Sequence, residues 1–232
     1  MPVFTGLSLA LDGRATVLLG PNGAGKSTLL SLIVGLLMPK RGAIHVDGMS
    51  SVSRRDRGRY RRHIGWLPQN VTAVPGLRVR EQVAYAGWLK GLSRRDAWDR
   101  AATVLDRMDL TDLSERPAHA LSGGQLRRVG IAQALVHEAQ IVLMDEPTAG
   151  LDPMQRHKFR DTLIRIADHV RFVVSTHQTE DLSDIYEDVV VLDRGQVRYQ
   201  GGVAEFLHSA AMTADPARRA EEAYIRLLSV TD

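Results

Sequence analysis

"LLGPNGAGKSTLL", residues 18–30, stands between residues 15–19, which read as a buried strand, and a run that reads as a helix from Lys26 to about Leu37. Its core, Gly20 to Ser27, fits G-x-x-x-x-G-K-S, and the strand before it and helix after it are the flanks that this pattern requires. Gly20, Gly23 and Gly25 permit a tight loop, completed by Pro21, Asn22 and Ala24, whose backbone N–H groups and helix dipole attract phosphate oxygens. Lys26 would reach the β- and γ-phosphates, Ser27 would set its hydroxyl on Mg2+, and Thr28 would meet the α-phosphate. A glycine-rich turn with an incidental lysine would need neither flank. By itself the stretch says phosphate, not which reaction; with the alternating strands and helices that follow, it points to an α/β fold, a P-loop NTPase core on a mostly parallel sheet.

Two further stretches carry chemistry. In "IVLMDEPTAGLD", residues 141–152, four apolar residues read as a buried strand that delivers Asp145 and Glu146 at its end, where Pro147 breaks the run. Asp145 then sits where such a core holds Mg2+, and Glu146 is in reach of the γ-phosphate to polarise the attacking water. In "LSGGQLRR", residues 121–128, Ser122, Gly123, Gly124 and Gln125 open a helix whose apolar positions Leu126, Val129, Ala132 and Leu135 share one face. That is a second helix start suited to an anion, although the chain has only one lysine loop.

Around these motifs the pattern alternates strand and helix. Asp12-Gly13 reads as the turn of a hairpin, and "AIHVDG" as a strand entering another Asp-Gly turn. Residues 53–62 hold Arg54, Arg55, Arg57, Arg59, Arg61 and Arg62 without an apolar period and read as a solvated loop in preference to an anion-binding site. "HIGWLPQ" reads as a short strand closing in Pro68-Gln69. Residues 70 to about 118 read as a helical insertion: one helix over Val79–Leu89 stopped by Gly91, and a second capped by Ser93 with Trp98, Ala101, Leu105 and Met108 on one face. Strands resume at Ile141–Met144, Phe172–Ser175 and Val189–Leu192, helix between the first two implying parallel pairing, and "VVVLDRGQVRYQG" reads as an antiparallel hairpin. One domain over 1–232 is expected, with 1–69 and about 119–202 as core and a helical tail over about 203–232.

Composition narrows the class further. A net charge of +3, from 30 basic and 27 acidic residues, is too balanced to mark a nucleic-acid binder. With no cysteine there are no disulfides, thiolate metal sites or thiol nucleophiles. The longest largely apolar stretch, Ser27 to Pro39, falls short of the roughly 20 residues that span a membrane. No basic leader precedes an apolar run at the N-terminus, so a soluble, cytoplasmic chain is expected.

On these motifs the chain resembles the ATP-binding subunit of an ABC transporter, most like the exporter-type ATPases of bacteria. The likeness covers Walker A at 20–28, the Q-loop glutamine Gln69, the signature at 121–125, Walker B at 141–146, the D-loop around Gly150-Leu151-Asp152 and the switch histidine His177 in "STHQTED". The resemblance implies ATP and Mg2+ as ligands, with Ser27, Gln69 and Asp145 around the metal, and with Glu146, His177 and Gln69 catalytic. It also implies that two such domains meet head to tail, the signature of one covering the γ-phosphate held by the other. The implied partner is a transmembrane permease, which Gln69 and residues 71–89 would contact at the cytoplasmic face of the membrane, with no nucleic acid expected.

Two other readings are open: an ABC-type ATPase working on nucleic acid or the ribosome, and a non-catalytic regulatory subunit. The interval between Lys26 and Ser122 is too short for a long coiled coil, zinc-binding cysteines are absent, and Lys26, Asp145, Glu146 and His177 are all intact. The resemblance further implies an aromatic that stacks on adenine from a segment ahead of the first strand. Phe4 lies too near Lys26 to match it, and Phe4, Tyr60 or an arginine of residues 54–62 could substitute.

Overall fold

The computed structural model describes residues 3–182, 185–210 and 218–229. Its strands are β1 (Ala15–Leu19), β2 (His45–Val46), β3 (Met49–Ser50), β4 (Ile64–Leu67), β5 (Ile141–Asp145), β6 (Arg171–Thr176), β7 (Asp188–Asp193) and β8 (Gln196–Gly202). Its helices are α1 (Lys26–Val34), α2 (Arg57–His63), α3 (Val79–Leu89), α4 (Arg94–Arg107), α5 (Gly123–Leu135), α6 (Pro153–Ala167), α7 (Val203–His208) and α8 (Arg219–Ser229). The main sheet has the order β4-β5-β6-β1-β7-β8, parallel except for β8, while β2 and β3 form a separate antiparallel pair.

The apolar runs become strands because both faces of the sheet are covered. Val17, Leu19, Val142, Met144, Phe172, Val174, Val189 and Val191 enter one buried cluster with residues of α3, α4, α5 and α6. Their neighbours Leu18, Leu143, Val173, Val190 and Leu192 enter a second cluster with α1, Tyr60 and the β2–β3 hairpin. Strand period two thus sorts a continuous apolar sequence into two cores.

Asp47 and Gly48 take φ of 45° and 75° to close the β2–β3 hairpin, as its Asp-Gly turn requires. The expected hairpin at Asp12-Gly13 does not form. β1 is paired in parallel on both sides, with β6 and β7, so no edge is left for residues 7–11. They pack instead through Leu7, Leu9 and Leu11, and Gln200 Nε2 donates to the Ala10 carbonyl at 2.6 Å.

Residues 53–62 are not simply a loop: from Arg57 they form α2. A single buried anchor, Tyr60, donates its hydroxyl to the Ile33 carbonyl at 2.6 Å, too sparse a signal to show as periodicity. Helix α1 stops at Val34, where Gly35 adopts φ 78°, rather than running to Leu37. Ser93 Oγ caps α4 by accepting from Asp96 N, as expected. Trp98 leaves the predicted buried face. It is 40% exposed with the Arg80 guanidinium 4.0 Å over its ring, while Ala97, Ala101, Val104, Leu105 and Met108 make the contact face. On α5, Leu126 and Leu135 are only half-buried, and Val129, Gly130, Ile131, Ala132 and Ala134 fill the core. Of the helical tail, residues 211–217 and 230–232 lie outside the described residues.

His137, at the end of α5, is buried with its Nε2 3.3 Å from the Ile64 carbonyl, which also accepts from Lys90 Nζ at 2.9 Å. Burial and the Lys90 ammonium hold its pKa down to about 4. The unfolded chain takes up this proton near pH 6.5, so the stability tied to a neutral His137 is present above that pH and is lost as pH falls toward 4. Urea unfolding at pH 7.5 and 4.5 should show the wild type losing about 2 kcal/mol more than His137→Gln over that interval. Equal losses in both proteins would contradict the assignment.

Candidate functional site

Because β5, β6 and β1 are neighbours in the sheet, the loops that follow them open at one edge, beyond the carboxyl ends of the strands. Leu19 pairs with Thr176 and Asp145 with Ser175, so the loop from Gly20, the Asp145-Glu146 pair and His177 start at nearly one level. A cavity of about 580 Å³ lies there, lined by Val3, residues 22–28, Gln69, Glu146, Ala149 and His177. A depression of about 690 Å³ bordered by Arg100, Arg107 and Arg165 lies at the opposite strand ends, before β5 and β6, away from these carboxylates.

The loop reaches its shape through left-handed backbone at Gly23, φ 83°, and Gly25, φ 106°. Gly25 is the N-cap of α1 and offers no side chain, so among the described residues no side-chain cap covers the first-turn N–H groups of that helix at the cavity. Gly20 admits nothing larger, because a Cβ there would lie 2.2 Å from the Leu192 carbonyl oxygen.

Lys26 is buried, and its ammonium donates to the carbonyls of Gly20 at 2.7 Å and Pro21 at 3.2 Å. It also lies 3.4 Å from Glu146 Oε1, whose other oxygen is 3.1 Å from His177 Nδ1. Burial lowers the Lys26 pKa, while Glu146 and Asp145 favour the charged form. Asp145 is buried and accepts from Ser175 Oγ at 2.6 Å; the same hydroxyl accepts from Glu146 N at 3.0 Å. Ser175 thereby ties the Asp145 carboxylate to the backbone of Glu146. Glu146 itself has φ 43°, an uncommon conformation for a side-chain-bearing residue, at a turn closed by Ala149 N donating to its carbonyl.

The remaining expected site residues divide between the cavity and the surface. Gln69 lines the cavity, and its carbonyl accepts from Arg127 Nη1, whose Nη2 donates to the Ala149 carbonyl at 3.4 Å. Arg127 belongs to α5, so the helix that opens with Ser122 is pinned to both loops. Ser122, Gly123, Gly124 and Gln125 do not line this cavity. Ser122 Oγ accepts from Gln125 N at 3.3 Å and Gln125 Oε1 from Ser122 N at 2.9 Å, a capping box with Ser122 and Gly123 exposed.

Of the candidates for a base contact, Tyr60 is excluded by its burial under α1, and none of the arginines at 54–62 lines the cavity. Phe4 is the candidate that lies beside it: its ring atoms would come 2.9 Å from a Cβ on Gly25, and Val3 forms part of the cavity wall. Ser175, Thr176, Thr148, Asp181 and Arg127 were missed as site residues. A pair of hydroxyls ending the apolar run "FVVST" was the available signal for the first two.

Residues 5–149 match the ABC transporter family. The ABC transporter ATP-binding protein YxlF of Bacillus subtilis (strain 168) is 32% identical, over 84% of this chain and 63% of its own length. The linearmycin resistance ATP-binding protein LnrL of the same organism is 34% identical over the same shares, 84% and 63%. The cobalt import ATP-binding protein CbiO of Rhodobacter capsulatus is 37% identical over 90% of this chain and 76% of its own length. The chain thus spans about 63% of the length of the two Bacillus relatives. Among solved structures, the ATP-binding subunit of an ABC transporter superposes with a TM-score of 0.80 at 26% identity, covering 97% of this chain and 93% of that one. A dimeric cassette in a post-hydrolysis state, bound to ADP and Pi, superposes with a TM-score of 0.74 at 27% identity, covering 87% and 90%.

Proposed function

Because the chain belongs to the ABC transporter family, we propose that it hydrolyses ATP to drive a separate transmembrane subunit. The observation that carries this reading is the convergence of Lys26, Glu146 and His177 on one cavity at the mouth of an uncapped helix. Backbone N–H groups of residues 22–28 and the Lys26 ammonium bind the phosphates. As a triphosphate enters, Lys26 exchanges its contact with Glu146 for phosphate oxygens, which frees Glu146 to act as base. Glu146 accepts a proton from water as the water oxygen bonds to the γ-phosphorus; the bond to the β–γ bridging oxygen breaks, leaving ADP and phosphate. His177, through its contact with Oε2, keeps the carboxylate aimed at that water.

The oxygens of Ser27, Gln69 and Asp145 are hard donors of the kind Mg2+ prefers, and no group of three His, Cys, Asp or Glu among the described residues forms a cage of its own. Such a set suits an ion held largely by phosphate and water, where it would neutralise phosphoryl charge.

The exposed signature, which does not line its own cavity, supports a second copy or a homologous domain as the cover for the nucleotide, the arrangement of a dimeric cassette. No helix among the described residues is long and apolar enough to cross a membrane. On the family reading a permease would supply the membrane contact, holding this chain at the cytoplasmic face. Exposed apolar side chains support such a contact: Leu36, Leu37 and Met38 after α1, and Tyr85, Trp88 and Leu89 along the end of α3, with Tyr85 and Trp88 stacked. These ends are tied together, as Lys90 Nζ donates to the Arg61 carbonyl at 2.8 Å and Arg61 Nη2 to the Gly35 carbonyl at 3.3 Å. Arg78 and Arg80 are engaged instead with Glu115 and Trp98. Export is the direction we favour, on the exporter-type resemblance and the likeness to the linearmycin resistance protein; the likeness to cobalt import CbiO makes direction a matter for transport assays in inverted vesicles.

Glu146→Gln should retain ATP binding, lose at least about a hundredfold in turnover and accumulate an ATP-bound dimer, whereas Lys26→Ala should weaken ATP binding itself by at least about tenfold. Near-wild-type turnover in Glu146→Gln would remove the carboxylate from the base role. Trp88→Asp and Leu89→Asp should reduce co-purification of the membrane subunit about tenfold with basal ATPase unchanged. Full retention of the permease by both variants would place its contact elsewhere.

A further inference from the structure

Four residues beyond His177, Asp181 ends a short helical turn, Thr179–Asp181, and sits among the elements that hold the catalytic groups. Its Oδ2 accepts two hydroxyl protons, from Thr148 Oγ1 at 2.7 Å and from Thr176 Oγ1 at 2.6 Å. Thr148 lies two residues after Glu146, and Thr176 immediately before His177. Thr176 Oγ1 in turn accepts from Gln178 N at 3.1 Å, so His177 is bracketed on both sides by one hydroxyl. Both carboxylate contacts have the length of charge-assisted O–H···O⁻ bonds, the stronger class.

One oxygen atom therefore joins the loop after β5, the end of β6 and the segment beyond the histidine. The turn at Glu146 is held from one side by Ser175, whose carbonyl and hydroxyl both accept from Glu146 N. The Thr148–Asp181 bond holds it from the other, and Glu146 needs such restraint to keep its φ of 43°. Helix α8 packs on Thr179–Asp181, and Glu221, Tyr224 and Ile225 share a cleft with His177 and Gln178. The segment carrying Asp181 is thus backed by a helix rather than free in solvent.

We propose that Asp181 is a positioning residue for hydrolysis: by bridging Thr148 and Thr176 it fixes the distance between the Glu146 carboxylate and the His177 ring. It acts through these two threonines and does not line the nucleotide cavity. The assignment rests on the ATPase reading and names a group that the reading does not require. Without the bridge, the loop after Glu146 and the turn after His177 move independently. Their 3.1 Å contact is then formed for only part of the time, while the phosphate-binding loop is untouched.

The test uses full-length Asp181→Ala, Asp181→Glu, Thr148→Val and Thr176→Val, with ATP dissociation constants measured beside steady-state kinetics. Asp181→Ala should lower kcat about tenfold with the ATP dissociation constant within about twofold of wild type, and Asp181→Glu should regain part of that loss. Thr148→Val and Thr176→Val, nearly isosteric changes that keep the fold, should each lower kcat about threefold or more. Added to Asp181→Ala, either should cost less than about twofold, because the bond is already gone. Unchanged kcat in Thr148→Val and Thr176→Val would overturn the proposal, as would threonine effects that multiply in full with Asp181→Ala. A loss in Asp181→Ala that appears equally in ATP affinity would overturn it too. A wild-type chain without turnover would instead overturn the ATPase reading, so the two failures are distinguishable.

Discussion

The site depends on the placement of β1 between β6 and β7 with every one of those pairings parallel. Parallel strands end at the same edge, so the glycine loop after Leu19 and the histidine after Thr176 leave the sheet side by side. The carboxylates that close β5 emerge one strand further along. Antiparallel pairing anywhere in β5-β6-β1 would send one of the three groups to the far edge. The same double pairing denies residues 7–11 a partner and leaves the N-terminal segment free to lie against Gly25 and Gly195.

Within that frame electrostatics decides the resting arrangement. A buried ammonium in a loop of carbonyls is costly unless a carboxylate faces it, and Glu146 supplies that charge at 3.4 Å. Phosphate oxygens would replace the carboxylate as the partner of Lys26. On the proposed reading, substrate binding and release of the base would be the same event. The restraints around the pair, Ser175 on Asp145 and Asp181 on two threonines, are hydroxyl–carboxylate bonds in poorly solvated surroundings, where they are strong.

Much of this was legible in the sequence, for physical reasons that differ by residue. The glycine loop and the Asp145-Glu146 strand end could be read because backbone conformation and burial restrict the residues at those positions. α3 and α4 were legible through their period and through Ser93. α2 was not, because one buried tyrosine among exposed arginines carries no period. Trp98 was misplaced because an indole can be covered from outside by Arg80 as well as from within. Arg127 and Asp181 bind partners far off in the chain, at Gln69 and Thr148, and contacts between distant segments leave no local pattern.

On this reading a working site takes its phosphate-binding loop from one chain and its signature from another. Lys26→Ala and Ser122→Arg should each be inactive alone, yet a mixed dimer holds one site with both defects and one with neither. An equimolar mixture under conditions of subunit exchange should recover about a quarter of wild-type ATPase activity, since half of the randomly formed dimers carry one intact site of two. No recovery in a mixture where native mass spectrometry shows the heterodimer, or full activity of Ser122→Arg by itself, would contradict it.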